Sequence, residues 1–164
     1  MKHNLDLKFE IYSEKELENN MHLFDLYDWD CICKYQMLSE KFIEKYSDRV
    51  SWQNISYFQE LSEEFIEKHS SRVDWSWISC RKYLSEEFIK KHSDKLDWDS
   101  ISECQKLSEE FIKKHSDKLD WSLISECQKL SEEFIFDNFD KIDFYNLRNN
   151  EKVEKRNIFL FLIN

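Results

Sequence analysis

Apolar and polar positions along most of this chain fall into one phrase that returns at a constant step. Leu61, Leu84, Leu107 and Leu130 each open Leu-Ser-Glu-Glu-Phe-Ile, and Leu38 opens the near copy Leu-Ser-Glu-Lys-Phe-Ile, so the step is 23 residues. Trp29, Trp52, Trp75, Trp98 and Trp121 keep the same step, and Phe144 takes the next place in that row. A fixed period of this length, with one supersecondary unit per period, is the signature of a stacked repeat array.

Within a copy the pattern predicts two short helices. In the copy from Leu61 to Tyr83, Ser62 is an N-cap, followed by Glu63 and Glu64, whose charge suits the positive end of a helix. Leu61 and Ile66 stand at the spacing of a hydrophobic staple. That helix is expected to run to about His69, with Ser70, Ser71 and Arg72 as the connection. Asp74 then caps a second helix from Trp75 to about Lys82, with Val73 and Ile78 at staple spacing. Each helix would have about 8 residues and span about 12 Å. Helices this short are marginal alone in water. Stability is therefore expected from stacking Phe65, Ile66, Trp75 and Ile78 against adjacent copies, and Trp98→Ala is expected to cost about 3–5 kcal/mol. Glu86 and Lys90, Glu87 and Lys91, Glu109 and Lys113, and Glu110 and Lys114 are four apart with the acid first, which marks a solvated face. Leucine-rich repeats share this range of periods, but no copy carries their strand signature.

The predicted fold is all-α: an α-solenoid of 23-residue helix-turn-helix repeats over 29–150. Residues 1–28 would form an N-terminal cap with a degenerate first repeat, and 151–164 an apolar C-terminal cap. In the N-terminal cap Leu5, Leu7, Phe9 and Ile11 alternate with Asp6, Lys8 and Glu10, which predicts a short β-strand. Its only candidate partner is the tail Ile158 to Ile163. Pairing between protomers would make a homodimer through the terminal segments. The alternative is that both segments simply cover the terminal repeats.

Composition narrows the function classes. The 164 residues include no glycine and no proline, which argues against tight primed hairpins and glycine-rich phosphate loops. At 35% charged and 16% aromatic, the chain has the apolar area that a disordered chain lacks. A formal net charge of -10 disfavours direct binding to nucleic acid and docking on an anionic membrane, and it permits a basic protein partner. The apolar run Ile158 to Ile163 is too short to span a bilayer. Five cysteines and no secretory leader are read as free thiols in a reducing cytoplasm.

Candidate chemistry is sparse. His69, His92 and His115 form a row, but at roughly the 8–10 Å spacing of packed helices two imidazoles do not share one zinc, so no metal is expected. Cys31-x-Cys33 lacks a second ligand pair, and Cys104 and Cys127 read as small apolar filler. Glu63, Glu64 and their copies recur in every repeat, whereas catalytic acids are usually unique residues in unlike environments. The expectation is no enzyme, no catalytic residue and no cofactor. What varies between copies is the second helix, where Tyr35, Tyr57, Phe58, Trp77, Arg81 and Tyr83 stand. By helical angle Phe58 and Trp77 point away from the Trp/Ile face. Aromatic residues and arginine are favoured at protein-binding hot spots, so these six are the candidate partner-binding residues. The competing reading is that they pack against the neighbouring repeat.

The phrase Leu-Ser-Glu-Glu-Phe-Ile-x-Lys-His-Ser-Asp-x-Leu-Asp-Trp-x-x-Ile-Ser resembles a short repeat of proteins from large DNA viruses and some bacteriophages. It covers roughly residues 26–150. The match fades before Trp29, where Asn19 and Asn20 hold the places of Phe and Ile, and after Ile135, where Phe136 and Asp137 stand. The resemblance implies a viral or mobile-element origin, hence a host-cell cytoplasm, and brings no catalytic residues. The expected function is a non-enzymatic protein-interaction module. The alternative is an acidic viral inhibitor that occupies the basic groove of a host defence or nucleic-acid-binding enzyme.

Overall fold

The computed structural model describes residues 3–81 and 83–153. Among these the regular elements are all helical: α1 (Glu14–Asn20), a 3-10 turn (Met21–Leu23), α2 (Leu26–Tyr35), α3 (Glu40–Lys45), α4 (Trp52–Phe58), α5 (Glu63–Lys68), α6 (Trp75–Ser79), α7 (Glu86–Lys91), α8 (Trp98–Cys104), α9 (Glu109–Lys114), α10 (Trp121–Cys127), α11 (Glu132–Asp137) and α12 (Phe144–Leu147). The fold is thus an all-α repeat of the solenoid class. The chain divides between Ile78 and Ser79 into two compact units. In the first, α2 packs on α4; in the second, α8 packs on α10 and α10 on α12.

The caps form where the pattern places them. Ser39, Ser62, Ser85, Ser108 and Ser131 each accept from the backbone N–H three residues on. Asp97 and Asp120 do the same for α8 and α10. The two helices of the copy from Leu61 to Tyr83 are shorter than the expected 8 residues: α5 ends at Lys68 and α6 at Ser79, and the expected end at Lys82 lies outside the described residues. The first helix of a copy stops because its C-cap leaves the helical region, with φ -107 and ψ 26 at His69. The His69 carbonyl then accepts from Arg72 and Val73 in a further turn. The second helix stops because its C-cap is extended, with φ -95 and ψ 146 at Gln59. A chain without glycine uses these endings in place of a left-handed C-cap.

Two rows of isoleucine form the core. Ile43, Ile66, Ile89 and Ile112 of the first helices, and Ile32, Ile55, Ile78, Ile101 and Ile124 of the second, have no exposed surface. Each contributes about 1.5–3 kcal/mol by leaving water. The tryptophans do less than the stacking expectation required: Trp29 is 2% exposed, but Trp52, Trp75, Trp98 and Trp121 are only half-buried. Each of these four sits at the rim of the core with its indole N–H donating to the connection within its own copy, as Trp98 does to the Ser93 carbonyl at 3.0 Å. The Trp98 ring stacks on Phe111 with centroids 6.5 Å apart, and the Lys118 ammonium lies 5.0 Å from its centroid. Trp52 and Trp121 are held the same way, by Phe65 with Arg72 and by Phe134 with Lys141.

The N-terminal segment is not a strand, contrary to its alternating pattern. Asp6 starts a turn, its carbonyl accepting from Phe9 and Glu10, so Leu7 is buried while Phe9 and Ile11 face outward. The backbone groups a strand partner would need are taken by Gln36, which donates to the Leu7 and Glu10 carbonyls and accepts from the Tyr12 N–H, each at 2.8 Å. The segment therefore seals the first repeat. Its proposed pairing partner, Ile158 to Ile163, lies outside the described residues. The first repeat also differs in length: Ser13 and Ser39, both caps, are 26 apart, as are Leu17 and Ile43, both fully buried. Leu17, rather than Asn20, fills the isoleucine place, and the three extra residues fall at the 3-10 turn.

Candidate interaction surface

Each copy is joined to the next by side chains that reach backbone. Gln59 donates to the Cys33 and Gln36 carbonyls, both at 2.8 Å, and accepts from the Leu38 N–H at 3.0 Å. Gln128 donates to the Ser102 and Gln105 carbonyls at 2.9 and 2.8 Å and accepts from Leu107 at 3.2 Å. Gln105 repeats this on Ser79, Arg81 and Leu84. All three carboxamides are buried. They fill the otherwise unpaired carbonyls at the end of the preceding copy's second helix. At the last copy Asn150 does the same work one residue early, donating to the Ser125 and Gln128 carbonyls. A parallel row of buried serines, Ser56, Ser102 and Ser125, donates to the tryptophan carbonyl four residues back and accepts from the aspartate N–H that opens the next second helix. Cys33 holds that place in the first copy and accepts from the Ser51 N–H. Desolvation pushes its thiol up to about 11.

The recurring carboxylates are partly committed as well. Glu40, Glu86 and Glu109 each accept from the N–H of the cap serine one copy on, at 2.6, 2.6 and 2.5 Å. Cross-copy ion pairs, Lys45 with Glu18 and Lys68 with Glu44, are exposed and add little stability. The histidines belong to the aromatic stack. His69 lies 4.4 Å from Phe65 and 4.8 Å from Trp52, and His115 lies 4.3 Å from Phe111 and 5.6 Å from Trp98. The Nε2 atoms of His69 and His115 are buried without a hydrogen-bond partner. Burial pushes both imidazoles below their ordinary range. Among the described residues no three His, Cys, Asp or Glu side chains are grouped to hold a metal ion, and no helix is long and apolar enough to cross a membrane.

Several aromatic residues remain outward-facing. Tyr57, Phe58 and Trp77 are 51%, 40% and 36% exposed. Tyr57 meets Phe58 edge-on at 4.4 Å and Trp77 at 4.3 Å, so the three rings form one surface of the first unit. The Lys34 ammonium lies 5.2 Å from the Tyr35 ring and 5.3 Å from Phe58. Tyr35, Phe58 and the exposed Met37 line an open groove of about 610 Å³. Arg81 and Tyr83 belong to the second unit. Arg81 is half-buried, and Tyr83 lines a different groove, of about 480 Å³, with Cys104, Leu107 and Lys152. Tyr83 is the one non-glycine residue at positive φ among those described, at 87°. The six sequence candidates thus fall into two places. Met37 and Lys34 were missed. Met37 had a signal: its place in the period holds Glu60, Lys106 and Lys129 in three other copies, so Met37, like Tyr83 in the fourth, departs from a charged row. The chain matches no protein-family model, no curated protein and no solved structure.

Proposed function

We propose that this chain is a non-enzymatic helical-repeat module that binds another protein through the aromatic surface of its first unit. The observation that carries the reading is the cluster of Tyr57, Phe58 and Trp77, whose rings touch one another and still present a third to a half of their area to water. Contact with the adjacent copy therefore leaves area for a partner, and aromatic anchors of this kind dominate protein interfaces. The commitment of buried glutamines, serines and many glutamates to backbone supports a scaffold rather than a catalytic role. The same reading assigns a viral or phage origin, a host-cell cytoplasmic location, and no direct contact with nucleic acid or membrane.

Affinity capture from the source-cell lysate, with the wild-type chain beside a Tyr57→Ser/Trp77→Ser variant, tests this. A protein retained by the first and lost by the second supports the surface. Equal retention by both refutes it. The net charge of -10 favours a second reading, an acidic inhibitor seated in a basic groove. Salt separates the two: an electrostatic blocker loses affinity steeply as salt rises, and an aromatic-anchored contact changes little.

A further inference from the structure

Cys80 directly follows α6 and is exposed. Its thiol donates to the Ser100 hydroxyl of α8 at 3.2 Å. Cys104 lies four residues beyond Ser100, on the same face of that helix. Besides desolvation, the Cys80 thiol is near enough to Cys104 to help hold the Cys104 thiol above its ordinary range. Both cysteines belong to the second unit. The remaining three thiols are placed differently. Cys31 and Cys33 are both buried on α2, two residues apart and so not facing each other, and Cys127 is half-buried one copy further along. In the 23-residue register Cys80 stands where Tyr57, Glu103 and Glu126 stand, so a cysteine in this place is peculiar to one copy. That copy also carries Lys82 in the row of bridging glutamines, and next to it the left-handed Tyr83. The added thiol stands in the copy whose sequence departs from the glutamine row.

We propose that Cys80 and Cys104 form a dithiol that a hydroperoxide converts to a disulfide, stapling two successive copies of the second unit. The exposed Cys80 sulfur attacks one peroxide oxygen as thiolate. The O–O bond breaks, the second oxygen leaves as hydroxide or alkoxide and takes up a proton, and Cys80 becomes a sulfenic acid. The Cys104 sulfur then attacks the Cys80 sulfur, the S–S bond forms and the S–O bond breaks. The departing hydroxide takes the Cys104 proton and leaves as water. Two thiols lose two electrons, and one hydroperoxide is reduced. Desolvation pushes the Cys104 thiol up to about 11, which suits it to the second step rather than the first.

The test uses the full reduced chain treated with hydrogen peroxide, then alkylated under denaturing conditions and mapped by mass spectrometry. The expected result is loss of two of the five alkylatable thiols, a single Cys80–Cys104 crosslinked peptide, and full reversal by dithiothreitol. In Cys104→Ser the crosslink disappears and dimedone labels Cys80 as a trapped sulfenic acid. Five intact thiols after treatment, a bridge that includes Cys127, or covalent dimers through Cys80 would overturn the assignment. So would a Cys104→Ser chain that dimedone leaves unlabelled.

Discussion

A buried carboxamide is stable only when its donors and its acceptor are all engaged, and Gln128 engages its donors on two carbonyls of the preceding copy and its acceptor on the Leu107 N–H that opens its own copy. Gln128→Met keeps the length of the side chain and removes its polar atoms. It is expected to lower unfolding stability by about 2–4 kcal/mol, measured by urea denaturation, because buried backbone groups lose their partner. Glutamine at a constant step was visible in the letters, but a polar residue adds nothing to a hydrophobic pattern. Lys82 and the one-residue shift at Asn150 also interrupt the row. The histidines carry a second prediction. His69 and His115 are held below the ordinary imidazole value by burial, so between that folded value and about pH 6.5 the unfolded chain binds more protons. Their contribution is complete above about pH 6.5 and is lost as pH falls through that window. The urea midpoint should be lower at about pH 5.5 than at about pH 7.5, and a His69→Phe/His115→Phe variant should narrow the difference.

At the scale of a helix, the repeat phrase made most of the structure legible. The serine and aspartate caps, the acidic first turns and the paired short helices all follow from local chemistry that the letters display. The ranking of core residues did not. Tryptophan is the most conspicuous letter of the period, yet isoleucine fills the fully enclosed places. Side-chain size says what a residue can bury, and only packing says where the rim lies. The consequence is measurable in α8. Ile101→Ala is expected to cost about 3–4 kcal/mol, and Trp98→Ala about 2–3 kcal/mol, below the range for an enclosed large aromatic. Urea denaturation of both variants checks the order, and a costlier Trp98→Ala would reverse it. The N-terminal segment failed for a related reason. Alternation over Leu5 to Ile11 is a strand signal only if a second strand can take its backbone groups, and here Gln36 takes them.

At the scale of the molecule, every copy borrows backbone partners from its neighbour, so no copy is complete alone. A peptide spanning 107–129 is expected to show no helix by circular dichroism, whereas the full chain does; a helical peptide would indicate self-sufficient repeats. Function was less legible than fold. The exposed aromatic residues could be picked out as departures from the period, but whether two departures share one surface depends on packing that the period alone does not express. Tyr57, Phe58 and Trp77 meet, while Tyr83 lies in another groove. Buried carboxamides join one copy to the next, and amide hydrogen exchange at Leu107, whose N–H holds the acceptor oxygen of the Gln128 carboxamide, reports on the seating of one of them. The Leu107 N–H donates to Gln128 and to no helix of its own. It is expected to exchange as slowly as the core amides in the wild-type chain and to lose that protection in Gln128→Met. A Leu107 amide that exchanges at the rate of an exposed loop, or that is indifferent to the substitution, would contradict the account.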